Sequence, residues 1–288
     1  MIKTPSSKDN LKLYLRDRFV ELESPAIMGI LNMTPDSFSD GNTFFKKGAA
    51  LKQAAKMVKD GATIIDVGGE STRPGARAVS ANEEIDRIVP IIKTIKNEFG
   101  VIVSVDTYKE QVARTAIVEA GADIVNDISA LSFSSNMADT IAELNVPVIL
   151  MHIKGTPENM QKDPFYADLI KELKEYFHAR INFALTKGIK KEKLLIDPGI
   201  GFGKNVRDNI EIIRRLEEFK EFALPILMGL SRKSFLGAIT GQPDPKLREA
   251  ETLCANLVAI LNGAAIIRVH HVKNTSSALK VLKTLVEF

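Results

Sequence analysis

Eight short apolar runs in the chain each end on polar or charged residues. The endings are Asn32, Asp66 with Glu70, Asp106 with Thr107, Asn126 with Asp127, His152, Asp197, Ser231 with Arg232 and Lys233, and Arg268 with His270. Any one of them is accounted for as a helix N-cap or loop group. The same placement in every run asks for more, because a polar group buried without a partner costs several kcal/mol. Asp106, Asn126 and Asp197 supply acceptors, Asn126 also a donor, and Lys233 another donor. A carboxylate grips a flat N–H/NH2 edge by the same two-pronged pairing that it makes with arginine. The set suits a polar heterocycle such as a pterin or purine. The competing reading is a buried Asp197–Lys233 ion pair that only holds the structure together.

Asn32, Arg268 and His270 form a second set. Arg and a His donor suit an anion such as a diphosphate. Asn32 offers a neutral oxygen, suited to Mg2+ shared with phosphate oxygens, or is simply the turn residue before Thr34-Pro35. The glycines of DPGIGFGK, Asp197 to Lys204, let backbone approach a flat ligand, and Phe202 among them is either an aromatic platform or a core plug. His152 is expected to orient the MHIKGTPENMQ loop rather than react, and His178 to face solvent. Cys254, the single cysteine, reads as a small buried apolar residue. It excludes an internal disulfide and any cysteine zinc site, which makes a reducing cytoplasm the default.

The runs that carry these residues are 26–32, 63–69, 101–107, 123–129, 147–152, 194–199, 225–231 and 264–270. They are rich in Val, Ile and Leu and do not alternate with polar residues, which means burial on both faces, as in a parallel sheet. Helical periodicity fills 48–60, 82–98, 109–120, 135–144, 167–187, 206–221, 247–262 and 274–286. Gly48, Gly61, Gly100, Gly121, Gly188 and Gly263 punctuate helix ends. Eight strand–helix units predict an α/β fold, a single-domain (β/α)8 TIM barrel over residues 1–288, with a doubly wound open sheet as the alternative. Strand ends then converge on one mouth. Residues 1–25 form an N-terminal extension, whose LKLYL and FVELE segments could pair as a hairpin closing the barrel bottom. The join from Met33 to Lys46 is about a dozen residues long, where two to six are usual.

The totals remove other classes. Net charge is +3, from 39 basic and 36 acidic residues, too balanced to argue for nucleic acid or an acidic membrane. The N-terminus lacks a signal-like apolar stretch, and no apolar run is long enough to span a bilayer.

MGILNMTPDSFSDG, DVGGESTRPGA, SVDTYK, NDISA, MHIKGTPENMQ, DPGIGFGK, GLSRKSFLG and RVHHV resemble, in order, the successive motifs of the dihydropteroate synthase family. The resemblance implies a Mg2+-dependent transferase of folate biosynthesis. It would condense 6-hydroxymethyl-7,8-dihydropterin diphosphate with 4-aminobenzoate, be inhibited by sulfonamides, and work as a homodimer. Carried over by motif, Asp106, Asn126, Met151, Asp197, Lys233 and Arg268 would hold the pterin. Asn32 would meet the Mg2+. Asn32, Thr72, Arg268 and His270 would hold the diphosphate, and Phe38, Thr72, Arg73, Pro74, Phe202, Ser231 and Lys233 the 4-aminobenzoate. Asp36, Phe38, Asp106, Asp197, Lys233 and Arg268 make the implied catalytic set, with Thr34 to Phe45 as a flap closing over the mouth together with the Ser71–Ser80 loop. His271 departs from the family's acidic residue after RVH and puts one supporting contact in doubt. Two rivals stay open: a pterin-binding methyltransferase module with a corrinoid partner, and a folded but inactive paralogue.

Overall fold

The apolar runs form strands, since β-branched side chains suit a pleated surface packed on both sides. They are β3 (Ala26–Asn32), β4 (Ile64–Gly68), β5 (Ile102–Asp106), β6 (Ile124–Asp127), β7 (Val148–Met151), β8 (Leu194–Asp197), β9 (Leu227–Met228) and β10 (Ile266–Val269). The structure, a computed structural model, describes residues 10–34, 43–72 and 78–286, with backbone alone over 43–46. The strands pair in parallel in the order β8-β7-β6-β5-β4-β3-β10-β9. A parallel bridge between Ile196 and Ile226 joins the two ends, and Ile196 N–H donates to the Pro225 carbonyl at 3.1 Å. The ring is thereby closed, which is the expected (β/α)8 barrel rather than an open sheet.

Alternate residues along each strand face inward, with period two. Ala26, Met28, Ile64, Ile102, Ile124, Ile149, Leu195, Leu227 and Ile266 fill the lower interior. Their neighbours one step along, such as Ile65, Val103, Val125, Ile196 and Ile267, pack outward against the helices. Beneath the barrel, β1 (Leu11–Tyr14) and β2 (Phe19–Leu22) pair antiparallel, and Leu11, Leu13 and Leu15 join the lower interior cluster. Lys193 pins this hairpin, donating to the carbonyls of Leu15 at 2.7 Å and Asn145 at 2.9 Å. The hairpin closes the barrel bottom, as expected.

Two residues further along the strands the interior changes character. Asp66 and Ser104 stand mid-strand and fully buried. Asp66, counted among the run endings, therefore lies inside β4 rather than at its end. Asp66 is tolerated because it is paired, as described below.

The helices are α1 (Thr43–Lys59), α2 (Ala81–Phe99), α3 (Glu110–Val118), α4 (Met137–Leu144), α5 (Leu169–Thr186), α6 (Val206–Arg214), α7 (Ser234–Thr240), α8 (Glu249–Leu261) and α9 (Val272–Val286). Ser80 caps α2, its hydroxyl accepting from Glu83 N–H, and Gly100 ends it at φ 60°. Asn205 and Asp208 form a reciprocal capping box on α6. Three details depart from the sequence reading. First, α1 starts at Thr43, so Gly48 lies inside the helix rather than at its start, and the preceding join shortens to residues 33–42. Second, the 206–221 segment divides into α6 and a 3-10 helix, Leu216–Phe222. Leu216, Phe219 and Phe222 are buried at intervals of three, the period of a 3-10 helix. Third, Cys254 is exposed, not buried. α8 buries Thr252, Asn256, Ala259 and Ile260, and a residue two positions from Thr252 and from Asn256 lies on the opposite side of the helix. His178 faces solvent as expected, 3.4 Å from Glu221.

Candidate active site

The polar upper interior opens at the strand C-terminal ends into a cavity of about 550 Å³. Asn32, Thr72, Asp106, Asn126, Met151, Asp197, Phe202, Ser231, Lys233, Arg268 and His270 all line it, so residues separated by more than two hundred positions share one mouth. Asp36, Phe38, Arg73 and Pro74 lie outside the described residues.

At the floor, Arg268 of β10 forks between two carboxylates. Its Nε donates to Asp66 Oδ2 and its Nη2 to Asp106 Oδ2, each at 2.6 Å. Asn126 Nδ2 donates to the same Asp66 oxygen at 3.2 Å. Asp66 Oδ1 and Asp106 Oδ1 are both buried without a hydrogen-bond partner among the described residues, and of the two carboxylates Asp106 is the one lining the cavity. Burial raises the Asp106 carboxyl to about 7, against the pull of Arg268, while Asp66 adds to the rise. Burial also works against the charge on Arg268, but Asp66 and Asp106 outweigh it and hold the guanidinium above its ordinary value. Asp66 is the residue that sequence reasoning left without a role. Its signal was available: it is an acid two positions after Ile64 on an inward-facing register.

Asp197 ends β8 and accepts from Gly199 N–H at 2.8 Å. Burial pushes its carboxyl up, offset by that N–H and by Lys233 and Arg268. Lys233 Nζ stands 4.2 Å from the centre of the Phe202 ring, a cation–π contact. Phe202 also borders the small cluster of Ile128, Met151, Ile153 and Met160, which is the packing of the plug reading. Ser231 Oγ and His270 Nδ1 lie 2.9 Å apart, joining β9 and β10. His271 is exposed beyond the cavity, its carbonyl accepting from Thr275 at the start of α9.

The roots of the two mouth joins are fastened together. Met33 N–H donates to the Gly68 carbonyl at 2.7 Å, and Arg87 donates to the Gly69 carbonyl at 2.7 Å. Glu70 accepts from Tyr108 at 2.7 Å and pairs closely with Lys109. Lys109 also reaches buried Glu84 at 2.6 Å. Burial raises the Glu84 carboxyl, and Lys109 opposes the rise. Behind the DPGIGFGK loop, Lys204 and His152 are both buried and in contact, so the His152 ring meets that loop.

Among the described residues, no group of three or more His, Cys, Asp or Glu could hold a metal ion, and no helix is long and apolar enough to cross a membrane.

The profile of the pterin-binding enzyme family matches residues 28–270. A dihydropteroate synthase of Synechocystis sp. is 47% identical over 259 residues, spanning 90% of this chain and 89% of the relative. The chain belongs to the dihydropteroate synthase family. Solved members superpose closely. The crystal structure of the Yersinia pestis dihydropteroate synthase with a sulfonamide drug complex has a TM-score of 0.90 at 42% identity, covering 96% of this chain and 100% of that one. The Xanthomonas albilineans synthase in complex with 7,8-dihydropteroate gives 0.87 at 38% identity, with 96% and 100% covered. The dihydropteroate synthase motifs thus occupy eight strand ends of one closed barrel, with the acids, amide and bases of those motifs around a single cavity.

Proposed function

We propose that this chain condenses 6-hydroxymethyl-7,8-dihydropterin diphosphate with 4-aminobenzoate to give 7,8-dihydropteroate and diphosphate. One observation carries the assignment of subsites: Asp106, with one buried oxygen unpartnered among the described residues, lines the same cavity as Asn126 and Asp197. That is an acceptor set for the N–H-rich edge of a pterin. Met151 and Arg268 border the ring. Asn32, Thr72, Arg268 and His270 take the diphosphate. Ser231, Lys233, Phe202 and Thr72, with Phe38, Arg73 and Pro74 from the joins, surround the 4-aminobenzoate and the sulfonamides that resemble it.

The carbon–oxygen bond at the pterin methylene breaks and its electron pair leaves with the diphosphate. Arg268 and His270 stabilise that charge. Asp106 and Asp197, with Asp36 from the first join, favour the positive charge spread from the methylene into the ring. The aniline nitrogen forms the new carbon–nitrogen bond, and the proton it sheds passes to solvent. An aniline is nucleophilic without a strong base, so neither a catalytic triad nor a cysteine is needed. The first join then acts as a lid that keeps water from the cation. A Mg2+ ion fits here only as a shared one. Asn32 contributes a single neutral oxygen, which suits an ion held chiefly by diphosphate oxygens and water. Bound so, it would neutralise leaving-group charge. A reducing cytoplasm suits the exposed Cys254. A homodimer suits the exposed apolar residues Val258 on α8 and Val281 and Leu285 on α9, and sedimentation at twice 31.7 kDa would be the result expected.

The test is product formation from the two substrates, with and without Mg2+, while diphosphate release is followed. Dihydropteroate and diphosphate in equal amounts, lost on chelation and competed by a sulfonamide, are expected. Folded protein that makes no dihydropteroate overturns the proposal and leaves the methyltransferase and inactive readings.

A further inference from the structure

The loop 198–204 folds around an amine that the chain itself supplies. Lys204 is buried and does not line the cavity. Its Nζ lies 2.8 Å from His152 Nδ1 and 3.0 Å from the carbonyl oxygens of Gly199 and Phe202. These three partners hold the amine without a carboxylate. Burial lowers the Lys204 amine to about 7, against the pull of Asp197, and drives His152 well below its ordinary value, so the ring is neutral and the two nitrogens share one proton between them. The approach is backbone against backbone: Gly199 has φ +71°, and a Cβ there would stand 1.9 Å from the His152 carbonyl oxygen.

Two arms leave this hub. Through Gly199, whose N–H holds Asp197 Oδ1 at 2.8 Å, it reaches the pterin acid. Through Phe202, whose ring lies 4.2 Å from Lys233 Nζ, it reaches the 4-aminobenzoate side. The rest of the loop has other attachments. Gly201 N–H donates to Asn209 at 2.7 Å, Gln161 donates to the Gly201 carbonyl at 2.6 Å, and Tyr166 to the Gly203 carbonyl at 2.7 Å. The side-chain hold on the Gly199 and Phe202 carbonyls comes from Lys204.

We infer that Lys204 is a positioning residue for both substrate subsites, an internal amine that sets Gly199 and Phe202 and, through them, Asp197 and Lys233. The inference rests on the proposed function for its reaction. Lys204→Met keeps the aliphatic stem and removes the donors. It is expected to raise KM for both substrates by about tenfold, the scale of one lost hydrogen bond, with kcat changed by less than about threefold. Phe202→Ala gives a second readout. If Lys204 acts through Phe202, adding Lys204→Met to Phe202→Ala raises the KM for 4-aminobenzoate by less than about twofold further, since coupled residues are not additive. Unchanged KM values in folded Lys204→Met, or additive effects in the double variant, overturn the inference. Should Lys204→Met not fold, His152→Ala leaves the amine its two carbonyls and must raise the same KM values by a smaller factor; unchanged values overturn it equally. A wild-type protein without turnover counts against the proposed function alone. The pterin arm is then read by calorimetry with 6-hydroxymethylpterin, which must bind more weakly to Lys204→Met.

Discussion

Arg268 is held by two acids from two different strands, and the two have different work. Asp106 faces the cavity with its carboxyl raised to about 7 by burial. Only the ionised acid accepts on both oxygens, from Arg268 and from the pterin edge, and protonation occurs as pH falls through that value. The expected result is a kcat/KM for the pterin diphosphate that declines below pH 7, and an Asp106→Asn enzyme of lower activity without that decline. An acid limb persisting in Asp106→Asn would assign it to another group. Asp66 sits below and does not line the cavity. Its replacement by Asn leaves Arg268 short of one charge partner, and breaking a buried pair costs about 3 kcal/mol. Urea denaturation should register that loss in Asp66→Asn, together with at least about a tenfold fall in kcat/KM as Arg268 swings out of register. An unchanged midpoint would show Asp66 to be dispensable. Most of the lining residues were legible in the sequence because each ends an apolar run. Asp66 was not given a role, because it was counted as the end of its run although its inward register after Ile64 was legible.

The elements were legible where period and punctuation agree. Gly61, Gly100, Gly121, Gly188 and Gly263 do adopt the left-handed backbone that a helix C-terminus requires. Gly48 is the counterexample: no helix end surrounds it, so a glycine counted as a stop misplaced the start of α1. The seven-residue α7 was missed because SFLGAIT is too short to establish a helical period. The clamp of Glu70, Lys109 and Glu84 could not be read at all, since it joins three elements by contacts without a spacing rule. It bears on the joins whose roots it fastens. Phe38→Ala and Asp36→Ala in the first join are expected to cut kcat by about a hundredfold, the scale of a misplaced lid, with Tm shifted by less than about 2 °C. An equal loss of stability and turnover would return this join to an ordinary connection.

Taken whole, the molecule divides its interior by height. The lower half is an apolar plug shared by strand residues and the hairpin; the upper half is polar. Leu13 is buried at the closed end, so Leu13→Ala should cost about 2–5 kcal/mol of stability while kcat at 25 °C stays unchanged. Guanidinium melts and steady-state kinetics on one preparation check both halves of that statement, and a matched fall in kcat would mean that the two ends communicate. The barrel itself was legible because eight strand–helix units of this length close in one economical way; the height at which polarity begins was not, since it depends on register between strands. That height has a consequence for inheritance under drug pressure. A substitution that alters what the mouth admits disturbs neither the plug nor its hairpin, so escape variants should accumulate in the rim while the foundation stays as it is.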